Sequence, residues 1–290
     1  MKATLLVENN SLYCGAFEYP FPRFYAAEHG FSAWIEDEHV KVLLDTGYSD
    51  KFIKNAESMG IDLLKADYVV ISHGHYDHGG GLKYLIKYYK DRAMARKPIL
   101  LMGHPDIMLK KYEFNWNEDI GMDVDLEVLK QHFDVRFEDK PLWLTENLVY
   151  MGLTEITNDF ERSFPQSSKK FKDGKWVDDF VIEDTQLAYR HKDGEYASVI
   201  ATCAHYGICN IMEYAKKLTG AKKIHTYLGG SHLQSKEVPQ AQMDKTCDYV
   251  SKANIENFYI CHDTDMVCTL QLAKVAPVKE AGVGLMVECE

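Results

Sequence analysis

Four metal-ligating side chains stand within six residues in the run Ser72-His73-Gly74-His75-Tyr76-Asp77-His78. Three imidazoles and a carboxylate suit zinc first, and manganese or iron as alternatives. At the end of an extended segment His73 and His75 project the same way, onto one cation. The turn that follows can aim Asp77 and His78 at a second. Gly74, Gly79, Gly80 and Gly81 leave the backbone room to fold round such ions. The plainer alternative, a solvent-exposed histidine-rich loop, fits poorly with so many ligand types directly after an apolar strand.

That strand is Tyr68-Val69-Val70-Ile71, a short continuous apolar run of the kind buried on both faces. A helix is predicted from about Gly80 to Lys90, with its positive end toward the site. Upstream, strands are predicted at 3–8, 32–36 and 39–44, and a helix between Ser49 and Gly60 carries Phe52, Ile53, Ala56 and Met59 on one face. Ile99 to Met102 reads as a further buried strand. The second half repeats the rhythm. Strands are expected at 186–190, 196–202, 223–228 and 257–261, and helices at 208–218 and 240–253. Strands alternating with helices in each half predict two sheets packed face to face with helices outside. The polar stretch 154–184, with Pro165, Ser167, Ser168 and Gly174, shows no periodicity and reads as a surface excursion and a candidate lid.

With 290 residues, 46% apolar and 27% charged, the chain has the balance of a globular protein with a substantial core, read here as one domain. A net charge of −11 disfavours nucleic acid and anionic membrane surfaces as partners. No apolar run reaches the ~18 residues needed to span a bilayer, and the N-terminus lacks signal-peptide features. The expected location is the cytoplasm. Seven irregularly spaced cysteines (Cys14, Cys203, Cys209, Cys247, Cys261, Cys268, Cys289) without a CxxC read as reduced, mostly buried residues. Lys83, Lys87 and Lys90 share a helix face that reads as solvated, and His29, His39, His132 and His191 as surface residues.

The HxHxDH motif after a buried strand, preceded by Leu43-Leu44-Asp45-Thr46-Gly47, resembles the metallo-β-lactamase superfamily. The likeness extends to a branch of metal-dependent hydrolases related to dihydropterin-ribofuranosyl-aminobenzene-phosphate synthase. It is carried by His104-Pro105-Asp106, Thr202-Cys203-Ala204-His205-Tyr206-Gly207-Ile208, Gly229-Gly230-Ser231-His232-Leu233, Cys261-His262 and Gly282-Val283-Gly284. The resemblance implies a four-layer αβ/βα sandwich with one or two divalent metals at one edge. It implies ligation by His73, His75, Asp77, His78, His205 and His262, with Asp45 supporting the ligand loop through hydrogen bonds. The superfamily's bridging aspartate has no counterpart, because its place reads Gly229-Gly230-Ser231-His232. His232 is therefore a ligand of the second metal, a substrate donor or a satisfied histidine. Asp263-Thr264-Asp265 follows His262 where related sequences have Cys-Thr-Gly, a change that bears on metal or substrate choice. His104 is a substrate contact or an ordinary loop histidine. Tyr206 is expected to pack at the core or rim.

The implied activity is hydrolysis of an ester, lactone or phosphoester-type small molecule, the substrate being anionic in one version, by a hydroxide held between the metals. Asp77 accepts the proton of the nucleophile, and His232 or a water protonates the leaving group. Two alternatives remain: a pterin-related synthase displacing a methyl diphosphate with an arylamine, and a non-catalytic metal-binding sensor. The sequence leaves oligomeric state open.

Overall fold

The computed structural model describes residues 1–12, 25–161 and 167–290; Cys14 and Pro165 lie outside them. Two seven-stranded sheets stack on one another. The first runs in the order Met286–Glu288, Lys2–Val7, Ser32–Asp37, Val40–Leu44, Tyr68–Ile71, Ile99–Met102, Asp134–Phe137. The second runs Val278–Lys279, Asn257–Ile260, Lys223–Gly229, Tyr196–Ile200, Leu187–Arg190, Leu148–Tyr150, Leu142–Trp143. Each begins with antiparallel pairing and continues parallel, at Val42 with Tyr68 in one and Tyr196 with Lys223 in the other. Parallel strands need helical crossovers, and the alternating second part of each half supplies them.

The layers follow from side-chain alternation. Leu44, Val70 and Leu101 face inward to meet Leu187, Ile200 and Leu228 of the opposite sheet. Their neighbours Leu43, Val69 and Leu100 face outward against Phe52, Leu82 and Leu85 of the helices Lys51–Met59 and Leu82–Asp91. On the far side Val199 and Tyr227 pack on Ile211, Met212 and Met243 of Ile208–Thr219 and Gln240–Ala253. The result is the expected four-layer αβ/βα sandwich. Lys83, Lys87 and Lys90 are exposed as read. The described cysteines are free and all but Cys247 are buried.

The stretch 154–184 departs from its reading as an unpaired excursion. Ser168–Lys172 and Lys175–Asp178 form a hairpin that pairs with Lys111–Glu113, making a four-stranded sheet with Glu118–Asp119. Part of its polarity is buried rather than solvated. Asp179, Glu183 and Asp184 are buried, and the fully buried Lys111 ammonium lies 2.5 Å from Asp179 Oδ2 and 2.6 Å from Glu183 Oε1. Burial alone would strip the proton from Lys111, but the two carboxylates outweigh it and keep the lysine charged.

Candidate metal centre

In both sheets the parallel strands release their carboxyl ends at one edge, where open α/β folds place ligands. Asp45 follows Leu44, Ser72-His73 follows Ile71, and His205, His232 and His262 follow Ile200, Gly229 and Ile260. The backbone bends at His73 and Gly74, is extended at His75, and then coils into the short turn Tyr76–Gly79, which redirects Asp77 and His78. Gly74 is required where this loop crosses its neighbours: a Cβ there would lie 2.4 Å from the Ile107 carbonyl oxygen.

Two groups of donor atoms result. His73 Nε2 lies 3.1 Å from His75 Nδ1 and 3.2 Å from His205 Nε2. His78 Nε2 lies 3.1 Å from His262 Nε2, and Asp77 Oδ2 is 3.6 Å and 3.3 Å from those two nitrogens. The rings of His73 and His78, one from each group, are 4.1 Å apart. The outer nitrogens are held from behind. Asp45 Oδ2 sits 2.7 Å from His78 Nδ1 while its two oxygens accept from the Ser72 amide and hydroxyl. Ser72 Oγ is 2.9 Å from His73 Nδ1, and Asn9 Oδ1 is 3.0 Å from His262 Nδ1. A ring nitrogen facing an acceptor carries the proton, so in the neutral rings His78 and His262 turn bare Nε2 lone pairs toward each other.

Electrostatics sharpens the arrangement. Burial, reinforced by the surrounding imidazoles, pushes His73 and His205 well below the usual range; burial and then the Lys111 charge bring His75 down to about 4. These rings are neutral and free to donate lone pairs. Burial opposes ionisation of Asp77, but His78 and hydrogen bonds from His262 and His29 outweigh it and hold the carboxyl far below its usual value. Burial likewise opposes protonation of His262, and Asp263 with Asp77 overcomes it, lifting His262 to about 9. A proton thus occupies the second group, at the point where a cation would do the same electrostatic service for several donors at once. His75 turns Nδ1 to this group, and its Nε2, on the other side of the ring, is buried without a hydrogen-bond partner. The donor set fits divalent metal.

His232 stands apart from both groups. Its ring lies 4.3 Å from that of His205, and its Nε2 is 4.0 Å from Asp263 Oδ2. It lines a cleft of about 340 Å³ that opens over His75, Asp77 and His205, with Trp116 at the mouth. His104 caps the turn Pro105–Met108 by accepting the Asp106 amide, and Tyr206 donates to the Ile182 carbonyl; neither lines the cleft.

His29 is exposed as read, yet it reaches the site, with Nε2 3.2 Å from Asp77 Oδ2 and its ring 5.1 Å from that of His262. One surface reading is corrected. His191 is buried, 2.8 Å from Ser198 Oγ and packed on Tyr189, Tyr196 and His225. Sequence reasoning also passed over Asn9 and underrated Cys203, which lies 2.9 Å from Asp263 Oδ2. One signal is backbone conformation: Asp45, Ala204, His232 and Asp263 all take positive φ, between 49° and 62°, which non-glycine residues adopt at a cost.

Residues 26–142 match the family model of the metallo-beta-lactamase superfamily. The chain is 31% identical over 230 residues to the uncharacterized protein MJ0448 of Methanocaldococcus jannaschii, covering 79% of this chain and 81% of that one. The chain belongs to the metallo-β-lactamase superfamily. A second relative from the same archaeon, 25% identical over 239 residues, covers 78% of this chain and 79% of its own; it is a 7,8-dihydropterin-6-methyl-4-(beta-D-ribofuranosyl)-aminobenzene-5'-phosphate synthase. The fold is shared with a crystal structure described as a metal-dependent hydrolase of the beta-lactamase superfamily. That likeness has a TM-score of 0.78 and 24% identity, over 100% of this chain and 99% of that one. Superfamily membership explains why the donors gather at the sheet edge.

Proposed function

We propose that this superfamily member is a metal-dependent hydrolase of small molecules, cleaving an ester, lactone or phosphoester-type bond. The observation that carries the reading is the convergence of two donor groups, one of three imidazoles and one of two imidazoles and a carboxylate. His73, His75 and His205 would hold one divalent cation, and Asp77, His78 and His262 a second, with zinc the first expectation. Such cations, when bound, supply Lewis acidity and make water nucleophilic near neutral pH.

The chain's own groups do the rest. Asp77, buried and held ionised, orients the attacking water and takes its proton on the carboxylate oxygen that the cation leaves free. His232, about a third exposed at the cleft wall, donates a proton to the departing oxygen. Among the described residues no lysine or arginine lines the cleft. A substrate anion would therefore rely on the cations and on the imidazoles of His29 and His232. Free, mostly buried cysteines are what a reducing compartment maintains, which is the basis for proposing the cytoplasm.

The test is elemental analysis of protein purified without added metal, followed by a panel of aryl esters, lactones and phosphodiesters. His73→Ala and Asp77→Ala should abolish turnover while leaving the circular dichroism of the fold in place. Unchanged turnover in either variant sinks the reading. A synthase reading is favoured by one observation, the 25% identical relative that carries that name. Single-turnover assays with an arylamine and a pterin methyl diphosphate separate the two: joined product without hydrolysis would select the synthase.

A further inference from the structure

Between the two donor groups stands one side chain that neither group claims alone. Cys203 Sγ lies with ligand atoms of His73 and His205 in one set whose members are all within 4.8 Å, and with those of His78 and His262 in a second. A third set joins it to His232 and Asp263. Cys203 is almost completely buried, and its polar neighbour is Asp263 Oδ2, 2.9 Å away. Asp263 itself reaches inward, its Oδ2 3.7 Å from His262 Nε2, from a backbone of φ 51°. A thiol packed for apolar filling has no reason to sit at the meeting point of five imidazoles and a carboxylate.

We infer that Cys203 is a metal ligand shared by the two cation positions, its sulfur bridging them, with Asp263 as the hydrogen-bond partner that positions it. The inference rests on the proposed metal centre. On binding, the sulfur lone pairs would go to the cations and the S–H proton would be released to solvent in the cleft that Asp263 lines. Soft thiolate donation would favour zinc over manganese at this centre.

X-ray absorption of the zinc-loaded protein tests it directly. A sulfur shell at about 2.3 Å is expected beside the nitrogen and oxygen donors, and cobalt-loaded protein should show a sulfur-to-metal charge-transfer band in the near ultraviolet. Cys203→Ser should lose both signals, whereas Cys247→Ser, altered on the remote helix Gln240–Ala253, should keep them. Asp263→Asn should keep the sulfur shell but bind metal about 10- to 100-fold more weakly, as loss of a ligand's supporting partner does. Two bound cations with only nitrogen and oxygen neighbours would overturn the inference and leave the metal centre standing. A sulfur shell that survives Cys203→Ser would overturn it as well. Failure to bind any metal would overturn both. Should Cys203→Ser not fold, the unaltered protein still decides, because its sulfur shell is present or absent.

Discussion

Asp45 shows how much a single residue can set. Its carboxylate is fully buried and meets the Ser72 amide, the Ser72 hydroxyl and His78 Nδ1, all at 2.7 Å. That fixes both the turn after Ile71 and the face His78 shows to the centre. Asp45→Asn keeps the shape but puts an amide where two donors need acceptors. Retained metal should fall about 10- to 100-fold in affinity, read by elemental analysis after dialysis against a graded chelator. Full retention would show that His78 is oriented by something else. The fourfold ligand run was legible because its members are neighbours in the chain, and so was Asp45 through its motif. His29 was not, since one imidazole 48 residues from Asp77 carries no local pattern.

At the scale of elements, the small sheet is fastened to the ligand loop by buried charge. Lys111 binds Asp179 and Glu183, and Glu183 Oε1 in turn accepts the Gly74 amide at 3.4 Å. Lys111→Met would leave two carboxylates buried without a cation. A loss of about 3–5 kcal/mol is expected, measured by denaturant unfolding, with metal affinity weakened through the displaced loop. A change below ~1 kcal/mol, the range of exposed pairs, would mean the network is solvated in solution. The helix Met266–Leu272 gives a second case. Asp265 caps it by accepting the Cys268 amide and also holds Ser235. Asp265→Ala should cost about 1 kcal/mol at neutral pH. Burial would raise the Asp265 carboxyl, yet hydrogen bonds from Ser235 and Cys268 outweigh it and hold it down to about 2 from 3.8. A depressed pKa means its contribution is complete above about pH 4 and lost as pH falls toward 2. The melting difference between Asp265→Ala and the unaltered chain should therefore shrink across that window, and a constant difference would show the cap is not electrostatic. Partial exposure keeps the effect small.

For the whole molecule the centre is a joint between halves. Asp45, His73, His75, Asp77 and His78 come from the first sheet's edge, and His205 and His262 from the second's. Cations bound there would tie the two sheets together, since a ligand that binds only the native state stabilises it by mass action. At a hundredfold excess over the dissociation constant this is about 2.7 kcal/mol per ion, or a shift in Tm on the order of 5–10 °C for a domain of this size. Chelation should lower the Tm by about that much and re-addition of zinc should restore it in scanning calorimetry. An unchanged Tm would mean that the centre does not couple the halves.

The sequence by itself determined the layers and half of the centre. Periods of two and 3.6 mark the strands and helices, and Tyr68 to Ile71 was placed residue for residue because a continuous apolar run has one burial it can adopt. The strands Asp134–Phe137 and Ser168–Lys172 escaped notice because their polar residues interrupt any apolar pattern, while their backbones pair with strands far along the chain. Only the tertiary structure brought Asn9, His29, Cys203 and Asp263 to the ligands. Their positions follow from where two facing sheets end their strands, and proximity across such distances in the chain leaves no periodic trace to read.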